Sequence, residues 1–264
     1  MPQGSSVWLA AIEAGKRLES GKHCELQGEN LKLNNYESRN NLLIDWICES
    51  SLQGGSALDV GANDGSFCPE VLRIAQRCST LSGVDPDTVK LQRNPFVQMR
   101  YCSTLEDAEI PAGSFDLLYS FYVFEHVSDP ERFLSAASRL LKPGGSFFFI
   151  TPNGHHYFAL LSALFAKLNF QERMLGALRP SELVESYHYP AVYKLNCPRD
   201  IERVGRKFGF DRFEYRYSER LDEISCYFPG ITKAFPRLWE AAASIVQLDG
   251  MLLNLMGRMT KRPS

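Results

Sequence analysis

Between residues 56 and 151 short apolar runs alternate with longer segments, and this alternation restricts the fold more than any other feature of the chain. The runs are Ser56–Val60, Leu81–Asp85, Phe96–Tyr101, Phe115–Phe121 and Ser146–Thr151. Two of the segments between them have helical spacing: Pro69–Cys78 with Val71, Leu72 and Ala75, and Pro130–Leu141 with Phe133, Leu134, Ala137 and Leu140. Strand, helix and strand in succession imply right-handed crossovers and a mostly parallel sheet with helices on both faces. Phe147-Phe148-Phe149-Ile150 is apolar at every position, as a strand covered on both sides should be. The expected class is α/β, a doubly wound, mostly parallel sheet.

The flanks read differently. Ser6–Ser20 and Tyr36–Ser50 have the pattern of amphipathic helices, and the second enters the first strand through Gln53-Gly54-Gly55. Beyond Thr151-Pro152-Asn153-Gly154 a helix is expected over Tyr157–Leu168, then a polar segment with Tyr and His to Asn196, then a helix opening at Cys197-Pro198. Phe210–Tyr217 alternates apolar and charged residues like a half-exposed strand, and Phe235–Gln247 reads as a helical tail.

Composition narrows the function classes. With 44% apolar and 23% charged residues the chain is neither disordered nor collagen-like. Twenty-nine basic against 31 acidic residues leave a net charge of −2, which gives no reason to expect a nucleic-acid partner. Seven cysteines without a Cys-x-x-Cys pair suggest neither a disulfide framework nor a metal site, so no metal is expected and a reducing, cytoplasmic setting fits. Met1–Leu18 lacks the pattern of an export signal, and charges break the longest apolar stretches, so no transmembrane span is expected.

The chemistry gathers where strands end. Leu58-Asp59-Val60-Gly61-Ala62-Asn63-Asp64-Gly65-Ser66-Phe67 is a strand, a loop with Gly61 and Gly65, and the start of a helix. In an open parallel sheet ligands sit outside the carboxyl ends of the strands, where glycine lets the backbone approach closely. Asp85 ends the next strand, where a carboxylate can accept both hydroxyls of a ribose. Two nucleoside cofactors compete for such a site. A dinucleotide fingerprint wants glycine where Asn63 and Ser66 stand, because its pyrophosphate rests on helix amides. S-adenosylmethionine has no phosphate and needs acceptors for an ammonium and two hydroxyls, which Asp59 and Asp85 can supply beside an apolar slot at Leu105.

These residues resemble the class I, Rossmann-like, S-adenosylmethionine-dependent methyltransferases of small-molecule type. Asp59-Val60-Gly61-Ala62-Asn63-Asp64-Gly65 is similar to the first motif of that family, which commonly has Gly where Asn63 stands, and Gly83-Val84-Asp85 is similar to the second. Ser114-Phe115-Asp116-Leu117-Leu118 resembles the start of the fourth motif, and Phe124-Glu125-His126-Val127-Ser128-Asp129-Pro130 the Leu-Glu-His-Val element of many small-molecule enzymes. Leu141-Lys142-Pro143-Gly144-Gly145 resembles the turn before the fifth strand. The resemblance runs from about Tyr36 to Tyr217. It implies a methyltransferase domain over residues 36–220 with an acceptor-side insertion at about 154–197, between an N-terminal helical extension, 1–35, and a C-terminal helical cap or tail, 221–264.

The resemblance also implies roles. Asp59 would hold the methionine ammonium, and Gly61, Asn63 and Gly65 would let the loop run beneath the methionine part. Asp85 would bind ribose, Thr104 and Leu105 would flank adenine, and Ser120 and Phe121 would line the sulfonium. His126 is the candidate general base, since imidazole is the usual base near neutrality, with bracing of the next helix as its structural alternative. His155, His156 and His188 lie in the region that shapes acceptor pockets. Ser120-Phe121-Tyr122-Val123 lacks the Asn/Asp-Pro-Pro-Tyr element of amino methyltransferases, which favours oxygen or carbon over nitrogen as the acceptor atom. The region after Asn153 also resembles, less specifically, bacterial methyltransferases associated with cell-surface sugars or lipids, which implies a lipid- or sugar-linked metabolite, and the apolar tail is compatible with peripheral membrane contact or a homodimer. A cofactor-binding regulator without turnover, and a nicotinamide-dependent oxidoreductase, are the competing classes.

Overall fold

The computed structural model describes residues 39–50, 53–156, 191–218, 250 and 252–263. The helices expected at Ser6–Ser20, Tyr157–Leu168 and Phe235–Gln247, and His188, lie outside the described residues.

Helix α1, Arg39–Glu49, precedes a seven-stranded sheet. Its strands are β1 Ser56–Val60, β2 Thr80–Val84, β3 Met99–Tyr101, β4 Phe115–Phe121, β5 Leu141–Pro152, β6 Phe210–Ser218 and β7 Asn254–Lys261, in the order β3-β2-β1-β4-β5-β7-β6. The pairs from β3 through β5 are parallel, whereas β7 runs antiparallel between β5 and β6. The order reverses at β1 and β4, so the crevice of this doubly wound sheet opens at their carboxyl ends.

Local chemistry explains where the helices start. Asp129 accepts from the amides of Glu131 and Arg132, and Pro130 follows at the first helical position of α4, Pro130–Leu140. Asp87 likewise caps α3, Thr88–Arg93, by accepting from the Lys90 amide at 3.0 Å. Pro69–Cys78, expected as one helix, is a 3₁₀ turn over Pro69–Val71 followed by the short α2, Leu72–Ala75. The core lies on both faces of the sheet. Phe147 and Phe149 pack with Phe124, Phe133 and α4 on one side, and Phe148 and Ile150 pack with Trp46 and α1 on the other. Phe147, Phe148, Phe149 and Ile150 are fully buried, each worth roughly 1.5–3 kcal/mol.

One expectation is overturned. Residues 254–261 fall in the expected helical cap or tail, yet they form β7 within the sheet. Leu255 and Met259 join one core and Met256 the other, so this central strand is apolar on both faces and lacks the period of two that marks an exposed strand. Gly257 is its local signature. A Cβ there would lie 2.1 Å from Phe149 Cζ, because the buried Phe149 ring rests on the β7 backbone. Gly257→Ala is therefore expected to destabilise the protein by about 1–3 kcal/mol through overpacking, read as a lower urea midpoint.

Candidate functional site

The parallel register brings the carboxyl-end residues together. Asp59 pairs with Gly83 of β2 on one side and with Tyr119 of β4 on the other, and Ser120 lies opposite Val60. The turn after β1 then bends back over the end of β2, where the Gly61 amide donates to the Val84 carbonyl at 2.8 Å. Gly61 has φ +78°, and a Cβ there would come within 2.5 Å of Val123 Cγ2. Gly65 has φ +76°, with Phe96 Cδ2 2.8 Å from the position a Cβ would take. Both glycines are thus demanded by their left-handed backbone and by the protein's own packing.

Asn63 explains itself. It has φ +45°, a left-handed backbone that Asn tolerates better than most residues, so it can occupy a place suited to glycine. Its Oδ1 accepts from the Asp64 amide at 2.8 Å, closing the turn locally. Asn94, which sequence reasoning passed over, donates through Nδ2 to the carbonyls of Ala62 at 2.8 Å and Asn63 at 3.2 Å.

Asp85 sits at the end of β2, 7% exposed. Its Oδ2 accepts from the Asn63 amide at 2.9 Å and its Oδ1 from the Asp87 amide at 2.8 Å. Each oxygen keeps a further lone pair for a ligand hydroxyl. Burial raises its pKa despite these bonds. Asp59 is more perturbed: burial, opposed by the Tyr119 hydroxyl and reinforced by the charge of Asp85, pushes its carboxyl up to about 7. A buried carboxylate without a cationic partner costs stability, and a ligand ammonium would remove that cost.

The other expected residues are placed less uniformly. The Ser120 Oγ is fully buried at the end of β4 with no hydrogen-bond partner among the described residues, and Phe121 beside it is half-buried. Thr104 is exposed, its hydroxyl donating to Asp107 Oδ2 at 3.0 Å, whereas Leu105 is 3% exposed within the core. His126 closes the 3₁₀ turn Phe124–His126 after β4. His156 is 1% exposed, and burial lowers its pKa to about 4, so it is an interior neutral imidazole. No group of His, Cys, Asp and Glu able to hold a metal occurs among the described residues.

A buried polar chain across β4 and β5 was not anticipated. Glu125 Oε2 accepts from the Thr151 hydroxyl at 3.0 Å, and Asn196 Nδ2 donates to Thr151 Oγ1 at 2.7 Å and to the Pro152 carbonyl at 2.9 Å. The Glu125 carbonyl accepts from the amides of Val192 and Tyr193. Together these bonds fasten residues 192–196 to the carboxyl edge of the sheet. A cavity of about 330 Å³ lies instead by Gly55, Asp116 and Gly145, at the amino ends of the strands, and none of the expected site residues lines it.

Residues 36–213 match the family described as a methyltransferase domain, more than half the chain. A ubiquinone biosynthesis O-methyltransferase of Pseudomonas paraeruginosa is 32% identical over 159 residues, 54% of this chain and 67% of that protein. One of Paracidovorax citrulli is 34% identical over 149 residues, 53% of this chain and 59% of that protein. Among solved structures, the cyclase SpnF is similar with TM-score 0.54 and 16% identity, covering 100% of this chain and 98% of that one. The Haemonchus contortus phosphoethanolamine N-methyltransferase, in complex with phosphomonomethylethanolamine and S-adenosylhomocysteine, has TM-score 0.51 and 18% identity over 85% of this chain and 52% of that one. The two solved structures, at 16% and 18% identity, speak to the fold alone.

The perturbed Asp59 makes a measurable claim. A carboxyl whose pKa is raised on folding costs stability as pH climbs from about 4 to about 7, and the full cost stands above that window. Asp59→Asn should therefore gain stability relative to the parent by more at about pH 8 than at about pH 5, a difference of up to a few kcal/mol in urea unfolding without ligand. An equal gap at both pH values would refute the charged burial of Asp59. The glycine loop, the two strand-end carboxylates and the family match agree: the chain belongs to the methyltransferase-domain family and is a class I S-adenosylmethionine-dependent methyltransferase.

Proposed function

We propose that the chain methylates an oxygen of a small-molecule acceptor, and that the crevice over β1, β2 and β4 holds the cofactor for this transfer. The observation that carries the placement is Asp85, whose carboxylate is fixed by two backbone amides while a lone pair on each oxygen stays available. In this reading Asp85 takes the ribose hydroxyls and Asp59 the ammonium. Gly61, Asn63 and Gly65 run beneath the methionine part, Thr104 and Leu105 flank adenine, and the orphaned Ser120 hydroxyl with Phe121 faces the sulfonium. Since Leu105 belongs to the core and Thr104 is engaged with Asp107, the adenine contact they offer is an apolar edge and a turn.

S-adenosylmethionine supplies a methyl carbon on a cationic sulfur that leaves as a neutral thioether. The protein's part is to bring the acceptor into line, exclude water and take up the acceptor's proton. His126 is assigned that proton, because it lies half-buried at the end of the turn Phe124–His126 that follows β4, beyond Ser120 and Phe121. Oxygen is favoured over nitrogen by the absence of an Asn/Asp-Pro-Pro-Tyr element, and relatives carrying O-methyltransferase in their names support it. A lipid- or sugar-linked metabolite remains part of this proposal, with residues 154–197 as the acceptor side.

Calorimetry with S-adenosylmethionine tests the cofactor half. Asp85→Ala should weaken binding by roughly 1–3 kcal/mol, the range for charge-assisted hydrogen bonds, and unchanged affinity would remove Asp85 from the site. Transfer of a labelled methyl group into a small-molecule extract tests the other half, with an O-methyl product expected and an N-methyl product contrary to it. On that product's precursor, His126→Asn should slow turnover about 10²–10⁴-fold with cofactor affinity kept. Native turnover with a lowered melting temperature would leave His126 as a helix brace, and native turnover with an unchanged one would remove both roles.

A further inference from the structure

The residue after Phe121 is held in a shape that cofactor binding does not explain. Tyr122 has φ +55°, a left-handed conformation that bulky residues avoid because it is strained. Three contacts keep it there. Its amide donates to the Ile150 carbonyl at 2.9 Å, its hydroxyl donates to Asn254 Oδ1 at 3.3 Å, and its ring meets Phe67 edge-on with centroids 5.8 Å apart. Phe67 is 57% exposed, so the pair offers aromatic surface at the carboxyl edge of the sheet.

Beyond Tyr122 lies unmet hydrogen-bonding capacity. Asn254 opens β7 opposite Pro152 of β5 and Ser218 of β6, placing all three at that same edge. Asn254 is 2% exposed and Ser218 1%, yet neither Asn254 Nδ2 nor Ser218 Oγ has a hydrogen-bond partner among the described residues. Buried polar atoms left unpaired are costly, and two side by side next to a strained tyrosine indicate a polar ligand group. The glycine loop adjoins this place, since Gly61 abuts Val123, the residue after Tyr122.

We propose that Tyr122, Asn254 and Ser218 form the acceptor-recognition subsite, for a molecule that lays a planar ring against Phe67 and Tyr122 and offers an oxygen to the Asn254 amide. This rests on the reading of the carboxyl edge as the transfer site. The Asn254 amide donates to the acceptor's oxygen, Ser218 adds a hydroxyl that donates or accepts, and the Tyr122 hydroxyl orients Asn254 by occupying its Oδ1. The backbone strain at Tyr122 is the cost of projecting an aromatic side chain where Asn or Gly would sit more easily.

The test uses the full chain with S-adenosylhomocysteine bound and two probes, 4-hydroxybenzoate and its ring-saturated counterpart 4-hydroxycyclohexanecarboxylate. The aromatic probe should bind about tenfold tighter or more, and Tyr122→Phe and Asn254→Ser should each weaken it by about tenfold, the effect of one lost hydrogen bond, with S-adenosylhomocysteine affinity unchanged. Tyr122→Asn suits the left-handed backbone, so it should hold its melting temperature while losing the aromatic preference. A protein that binds S-adenosylhomocysteine but neither probe overturns the subsite, as does a folded Tyr122→Phe that binds the aromatic probe like the parent. Failure to bind S-adenosylhomocysteine overturns the cofactor placement instead.

Discussion

The grip of the Asp85 carboxylate on two backbone amides is the contact on which the candidate site depends. By accepting from Asn63 and Asp87, it ties the turn after β1 to the turn after β2 and fixes both against the sheet edge. Asn94 completes the clamp from the other side through the carbonyls of Ala62 and Asn63. The loop is therefore shaped before any ligand arrives. Such preorganisation lowers the ordering cost that binding would otherwise carry.

Burial divides the two strand-end carboxylates into different electrostatic roles. Asp85 has fixed amide donors on both oxygens, whereas Asp59, buried between β2 and β4, has the Tyr119 hydroxyl as its opposing influence and its pKa is pushed up to about 7 by burial. The first resembles a geometric anchor. The second resembles a socket whose charge is waiting for a counter-charge. On the other side of β4, the chain from Glu125 through Thr151 to Asn196 fastens the returning segment, so the edge is braced at both ends.

How much of this was legible in the sequence follows from the range of each interaction. The strands from Ser56 to Thr151, the Asp59–Gly65 loop and Asp85 carry local signals, namely apolar runs, turn glycines and a strand-end acid, and the sheet was readable from them. Asn63 was legible as a departure from glycine, and its backbone conformation supplies the reason the departure is tolerated. The contacts of Asn94, Glu125 and Asn196 were not legible, because their partners lie 32, 26 and 45 residues away and nothing in the local pattern names them. β7 was missed for a different reason: a strand buried on both faces looks like any apolar segment, and only Gly257 marks the place where Phe149 needs room.

The position of β7 in the chain also sets an order of events during synthesis. The strand that fills the gap between β5 and β6 is made more than 30 residues after β6, so for that interval β5 has a bare edge bearing Phe147-Phe148-Phe149-Ile150. Unpaired, apolar edges recruit other chains, which makes the nascent protein most exposed to misassembly just before its last strand emerges from the ribosome. The hazard comes from the topology and is separate from the stability of the finished fold.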